Sequence, residues 1–132
     1  MPVKTSDIII FRGNDAIYKL TVKLNGDPYD LTDCLLDFYV KRKVTEANAD
    51  AVIHKYTGVG GIEDGDVTGI VNITINAADT LGLEIGYNFV YDIELTTATN
   101  KVYTILRGIF KLRQNWGEIQ WEKEIKDKFV SE

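Results

Sequence analysis

Phe89-Val90-Tyr91-Asp92-Ile93-Glu94-Leu95 puts Phe89, Tyr91, Ile93 and Leu95 on one side of the chain and Val90, Asp92 and Glu94 on the other. Successive side chains of an extended strand point to opposite faces, so this period of two predicts a strand with one face buried and one wet. The same period recurs on both sides of it. Tyr18, Leu20, Val22 and Leu24 alternate with Lys19, Thr21 and Lys23, and within 35–43 Leu36, Phe38 and Val40 alternate with Asp37, Tyr39 and Lys41. In 51–57, Ile53 and Lys55 face away from Val52 and His54, and Val71, Ile73 and Ile75 alternate with Asn72, Thr74 and Asn76. Residues 7–12 and 101–113 supply the first and last strands, with Gly108 in the middle of the latter. A glycine there predicts a bulge or a close backbone approach.

The connections carry turn chemistry rather than helical periodicity. Asn25-Gly26-Asp27-Pro28 is expected to end its strand cleanly, because Gly supplies positive φ and Pro presets its own. The Gly-rich, acidic stretch 58–69 is expected to turn in solvent. Asn76-Ala77-Ala78-Asp79 reads as a single capped helical turn. About seven strands at this spacing predict an all-β sandwich or barrel. Residues 1–113 form the β domain, and 114–132 are a C-terminal arm in which Trp121, Ile125 and Phe129 recur at helical spacing among charges.

A chain of 132 residues supports one core. Fifteen Lys and Arg against twenty Asp and Glu give a net charge of −5, so the average surface repels phosphate and nucleic acid is not an expected partner. A single cysteine, Cys34, leaves no internal disulfide and suits a reducing compartment. The apolar run 8–11 is too short for a signal peptide or a membrane span, so no membrane partner is expected.

The residue types that carry catalysis are sparse. The one histidine, His54, lies mid-strand without a Ser or Cys motif beside it and reads as a surface or half-buried strand residue. Cys34 lacks a second Cys for a zinc or redox pair and reads as a small buried apolar group. No glycine pattern leads into a helix with Lys-Ser or Lys-Thr, so phosphate cradling of the P-loop kind is absent. Glu63, Asp64 and Asp66 around Gly65 offer hard oxygen ligands and make a weak Ca²⁺ candidate, although their spacing lacks the full calcium-loop pattern. No enzyme, cofactor or small-molecule substrate is expected. Trp116 and Trp121 follow the last strand in a charged segment where no core demands them, and with Ile125 and Phe129 they are the expected interaction residues.

The series Phe11-Arg12-Gly13-Asn14-Asp15, Asp30-Leu31-Thr32-Asp33, Phe38-Tyr39-Val40-Lys41, Ala78-Asp79-Thr80, Tyr91-Asp92-Ile93-Glu94-Leu95 and Leu106-Arg107-Gly108-Ile109-Phe110 resembles the N-terminal domain of tailed-phage upper baseplate proteins. The likeness covers about residues 8–113 and lies in the order of short motifs; at Gly13-Asn14-Asp15 the family's Gly-Asp pair is interrupted. It implies an immunoglobulin-like antiparallel sandwich that attaches to other virion proteins as an oligomer, made in the host cytoplasm and ending in the virion. It implies no catalytic residues. Proteins of that family usually continue into a helical or receptor-binding region, so this chain is expected to be a free-standing module of tail, baseplate, neck or capsid. A carbohydrate-binding or adhesion module is the competing expectation, since the fold does not decide between them.

Overall fold

The structure, a computed structural model, describes residues 3–114. The arm residues Trp116, Trp121, Ile125 and Phe129 lie outside the described residues. The described chain is almost entirely β: β1 (Lys4–Thr5), β2 (Ile8–Phe11), β3 (Ala16–Thr21), β4 (Lys23–Leu24), β5 (Asp27–Pro28), β6 (Leu35–Lys41), β7 (Ile53–Thr57), β8 (Gly61–Ile62), β9 (Ile70–Ile75), β10 (Phe89–Thr96) and β11 (Val102–Arg113). A 3-10 turn, Asn48–Asp50, and one helical turn, α1 (Ala77–Thr80), complete it.

The strands form one curled sheet in the order β1-β11-β10-β6-β7-β8-β9-β3, with β2 also on β11, and a separate β4-β5 hairpin. The sandwich-like fold expected from the alternation is present, but the sheet is mixed. Both N-terminal strands run parallel to β11, and β7 runs parallel to β8. Parallel pairing of chain ends is set by long-range register, which no local period encodes.

Curling brings the apolar faces together. Leu36, Phe38 and Val40 of β6, Phe89, Tyr91, Ile93 and Leu95 of β10, Val71, Ile73 and Ile75 of β9, and Phe110 and Leu112 of β11 join one buried cluster. Phe38 sits at its centre, 5.6 Å from the Tyr91 ring and 6.2 Å from that of Phe110. Each fully buried aromatic or branched side chain contributes about 1.5–3 kcal/mol relative to exposure, so this cluster dominates the stability.

Gly108 and its surroundings resolve the ambiguity between bulge and close approach. The bulge falls elsewhere: the β10-β11 register shifts between Ile93↔Leu106 and Glu94↔Thr104, which leaves Ile105 as the extra residue. At Gly108 a Cβ would stand 2.0 Å from the Ser6 carbonyl oxygen, so only glycine lets the N-terminal segment pass. There the Tyr91 hydroxyl donates to the Ser6 carbonyl, and the Asp7 carboxylate accepts the Ile109 N–H at 3.0 Å.

Two connections differ from expectation. The 25–28 turn does not simply end its strand but closes the β4-β5 hairpin, which carries Leu24 away from the core to 41% exposure. The stretch 58–69 contains β8, whose Ile62 is fully buried; two residues are too few to show a period. Lys55 does share its face with Ile53, and its buried stem delivers Nζ to Asp79 Oδ2 at 2.7 Å. Asp79 also accepts the Asn76 N–H at 2.7 Å, so one carboxylate caps α1 and neutralises an inward lysine.

Candidate functional site

The register of the strands composes a row that no single segment reveals. Thr5 pairs with Arg107, Arg107 with Asp92, Asp92 with Tyr39, and Tyr39 with His54, crossing β1, β11, β10, β6 and β7 on the outer face. Flanking rows pair Ile109 with Val90 and Val90 with Lys41 on one side, and Glu94 with Asp37 and Asp37 with Tyr56 on the other. Opposite residues on one face stand close enough to interact. The result is a band of aromatic and charged side chains on a rigid support.

Within the band, His54 stacks on Tyr39 with ring centroids 4.4 Å apart and planes 15° apart, and lies 5.2 Å from Tyr56. Its Nε2 is 2.8 Å from Asp37 Oδ1. Lys41 Nζ stands over the Tyr39 ring at 5.6 Å, a cation–π distance. Burial, and then the carboxylates Asp37, Glu94 and Asp92, push the Tyr39 phenol above its usual range.

Asp92 occupies the middle of the row and adjoins a cleft of about 270 Å³ lined by Tyr39, Lys41, Asp92, Arg107 and Asp7 among others. Its Oδ1 is buried and has no hydrogen-bond partner among the described residues. Burial raises the Asp92 carboxyl, while the positive charges of Lys41 and Arg107 act in the opposite sense. A buried acceptor without a donor is costly to leave unmade.

Asp37 orients the His54 imidazole, but among the described residues no hydroxyl or thiol is bonded to that ring, and a nucleophile is the part that acyl transfer requires. Cys34 is buried, with its thiol pushed up mainly by burial, which suppresses the reactive thiolate. The Ca²⁺ candidate does not assemble. Glu63 accepts the Asn72 N–H at 2.9 Å, Asp66 accepts the Thr68 N–H at 2.9 Å, and among the described residues no three His, Cys, Asp or Glu side chains are grouped to hold a metal. An acidic turn here serves backbone amides, which spacing alone does not separate from cation binding.

Sequence reading did not single out Asp92, Lys41 or Arg107. Each was legible only as an outward residue of its own strand; the residue opposite it is decided by pairing. The sequence matches no protein-family model and no curated protein.

Proposed function

We propose that the chain is a non-enzymatic structural protein of a phage virion, of the tail, baseplate, neck or capsid, which attaches neighbouring virion proteins through the outer face of its five-strand layer. The observation that carries attachment is the row Arg107-Asp92-Tyr39-His54 with Tyr56 beside it. Rigid aromatic rings with charged neighbours are the composition of binding hot spots, because they supply contact area with little entropy to lose. Placement in a virion is supported by the order of motifs shared with upper baseplate N-terminal domains.

In particle-producing cells the chain is expected to sediment with the particles. A His54→Ala/Tyr56→Ala variant with unchanged far-UV circular dichroism is expected to remain in the supernatant. Wild-type chain found wholly in the supernatant would overturn the assignment.

The cleft beside Asp92 favours a second reading, a carbohydrate-binding or adhesion module. A sugar hydroxyl donates to a carboxylate while its apolar face lies on an aromatic ring, and Asp92 and Tyr39 both line this cleft. Binding on a glycan array that disappears in Tyr39→Ala and Asp92→Ala would select this reading over attachment to protein.

A further inference from the structure

Among the described residues the β4-β5 hairpin stands outside the curled sheet and is held by two pairs, Lys23↔Pro28 and Leu24↔Asp27. Its two-residue turn is Asn25-Gly26, with φ of 53° and 85°, the left-handed conformations that such a turn requires. Both residues are exposed, and a Cβ added at Gly26 would meet nothing within 4 Å. The Asn25 side chain makes no hydrogen bond among the described residues. The Gly26 N–H lies in the turn, beyond the last ladder pair. Only the base of the hairpin is tied to its surroundings: the Val22 N–H donates to the Gly69 carbonyl at 2.7 Å, and the Tyr29 N–H to the Val22 carbonyl at 3.0 Å.

The side-chain amide of an asparagine can close a five-membered ring with the next backbone nitrogen, and a following glycine, which has no Cβ, hinders this least. Asn25-Gly26 is the single Asn-Gly pair of the chain. The structure separates it from the other positions where the same ring could close. Asp64 also precedes a glycine, but a Cβ at Gly65 would stand 2.3 Å from the Leu31 Cβ, so the backbone there is packed. Asn100 also has a positive φ, 66°, yet the N–H of the following Lys101 donates to Thr97 Oγ1 at 3.1 Å. The Ala77 N–H that follows Asn76 donates to Asp15 at 2.7 Å, and Asn72 lies inside β9. In each case the attacking nitrogen or its backbone is already held.

We propose that Asn25 is a site of spontaneous deamidation, and that the modification opens the β4-β5 hairpin while leaving the curled sheet intact. The Gly26 nitrogen, its proton lost to hydroxide, attacks Asn25 Cγ. The new C–N bond closes a succinimide as the Cγ–Nδ2 bond breaks, and Nδ2 leaves as ammonia with a proton taken from water. Water then opens the ring. Attack at Cγ gives aspartate, and attack at the main-chain carbonyl carbon gives isoaspartate, whose backbone runs through Cβ and Cγ. Either product adds a negative charge to a tip that already carries Asp27. The longer isoaspartyl backbone no longer fits a two-residue turn. The rotation of Asn25 that brings the Gly26 nitrogen to Cγ is opposed by the same two ladder pairs, and a small hairpin by itself is marginal in water. The hairpin contains none of the residues of the outer-face row, so this modification and attachment through that face can each fail without the other.

Asn25 is the sole asparagine of the tryptic peptide 24–41, so peptide mass spectrometry reads it alone. In the folded full-length chain at mildly alkaline pH this peptide is expected to convert, through a species that has lost ammonia, to aspartate and isoaspartate. The rate is expected to climb with pH and to lie within a few-fold of that in the urea-unfolded chain. Asn72, Asn76 and Asn100 are expected to remain amides over the same time. Amide exchange in the aged chain is expected to quicken at Asp27 and not in β10. Asn25→Gly keeps a residue that adopts the turn but removes the reacting amide, so ageing is expected to leave its Asp27 exchange unchanged. Three results would overturn the proposal: a folded chain that keeps Asn25 while the unfolded chain loses it, conversion of another asparagine first, or Asp27 exchange that quickens equally in aged Asn25→Gly.

Discussion

The two ends of the curled sheet solve the problem of an exposed strand edge in opposite ways. At one end the N-terminal segment is broken into β1 and β2, and at the break the Ser6 carbonyl is taken by Tyr91 and the Ile109 N–H by the Asp7 carboxylate. At the other end β3 is an unbroken strand whose outward Ile17 is 69% exposed. Interrupted, short edges resist pairing with other chains, whereas long regular ones invite it.

The β3 end is anchored from above. The Asp15 carboxylate, immediately before β3, accepts the Ala77 N–H at 2.7 Å, and the Gly13 N–H donates to the buried Thr80 Oγ1 at 2.8 Å. The single turn α1 therefore holds the loop that delivers β3. This gives the capped Asn76-Ala77-Ala78-Asp79 segment a structural task beyond reversing the chain.

The most damaging way to erase the contrast is Gly108→Ala. Its Cβ would clash with the Ser6 carbonyl backbone, so β1 must leave β11 and a second open edge appears; a loss of about 3 kcal/mol is expected, with self-association in light scattering. Retained stability in urea titration would show that the N-terminal segment is not held as described. Asp79→Ala is expected to cost about 2 kcal/mol, because it removes a helix cap and leaves the inward Lys55 without its carboxylate. Lys55→Met in the same background should recover part of that loss, since the stranded charge is then gone. Thr80→Val keeps the volume but leaves the Gly13 N–H without its acceptor, and about 1 kcal/mol is expected. Hydrogen exchange should then quicken at the start of β3 and not in β1.

The smallest effect has the opposite sign and leaves both edges alone. Burial raises the Asp92 carboxyl, so the folded chain holds that proton more tightly than the unfolded one. Such a group penalises folding once pH rises above its folded value, and the penalty fades as pH falls below its unfolded value. Asp92→Asn is therefore expected to stabilise at neutral pH by no more than about 1 kcal/mol after allowance for screening by solvent. The difference from wild type should vanish in acid. A gain that persists unchanged in acid would mean that the carboxyl is not the source.

How far the sequence could be read depended on whether the information was local. The faces of β6, β9 and β10 followed from alternation, because Leu36, Phe38, Val40, Val71, Ile73, Ile75, Phe89, Tyr91, Ile93 and Leu95 are all buried as their period requires. Leu24 broke the pattern because its hairpin separates from the sheet, and Ile62 escaped it because β8 is too short. Gly108 was legible as a special position, but what presses on it is residue 6, a hundred positions away in sequence. The outer band was the least legible: Arg107, Asp92, Tyr39 and His54 come from four strands and share nothing until those strands pair in register.

By itself, then, the order of amino acids determined an all-β chain with one apolar face per long strand, turns where Gly and Asn permit them, and a capped turn at α1. These are consequences of backbone sterics and of the period of two, and they need only a few neighbouring residues. Tertiary structure alone decided that the N-terminal strands run parallel to β11, that Lys55 finds Asp79, that Asp92 lacks a donor among the described residues, and that β3 pairs only with β9 among those residues. Each of these depends on which distant segment arrives as a neighbour, and that choice minimises the free energy of the whole packed sheet rather than of any segment within it.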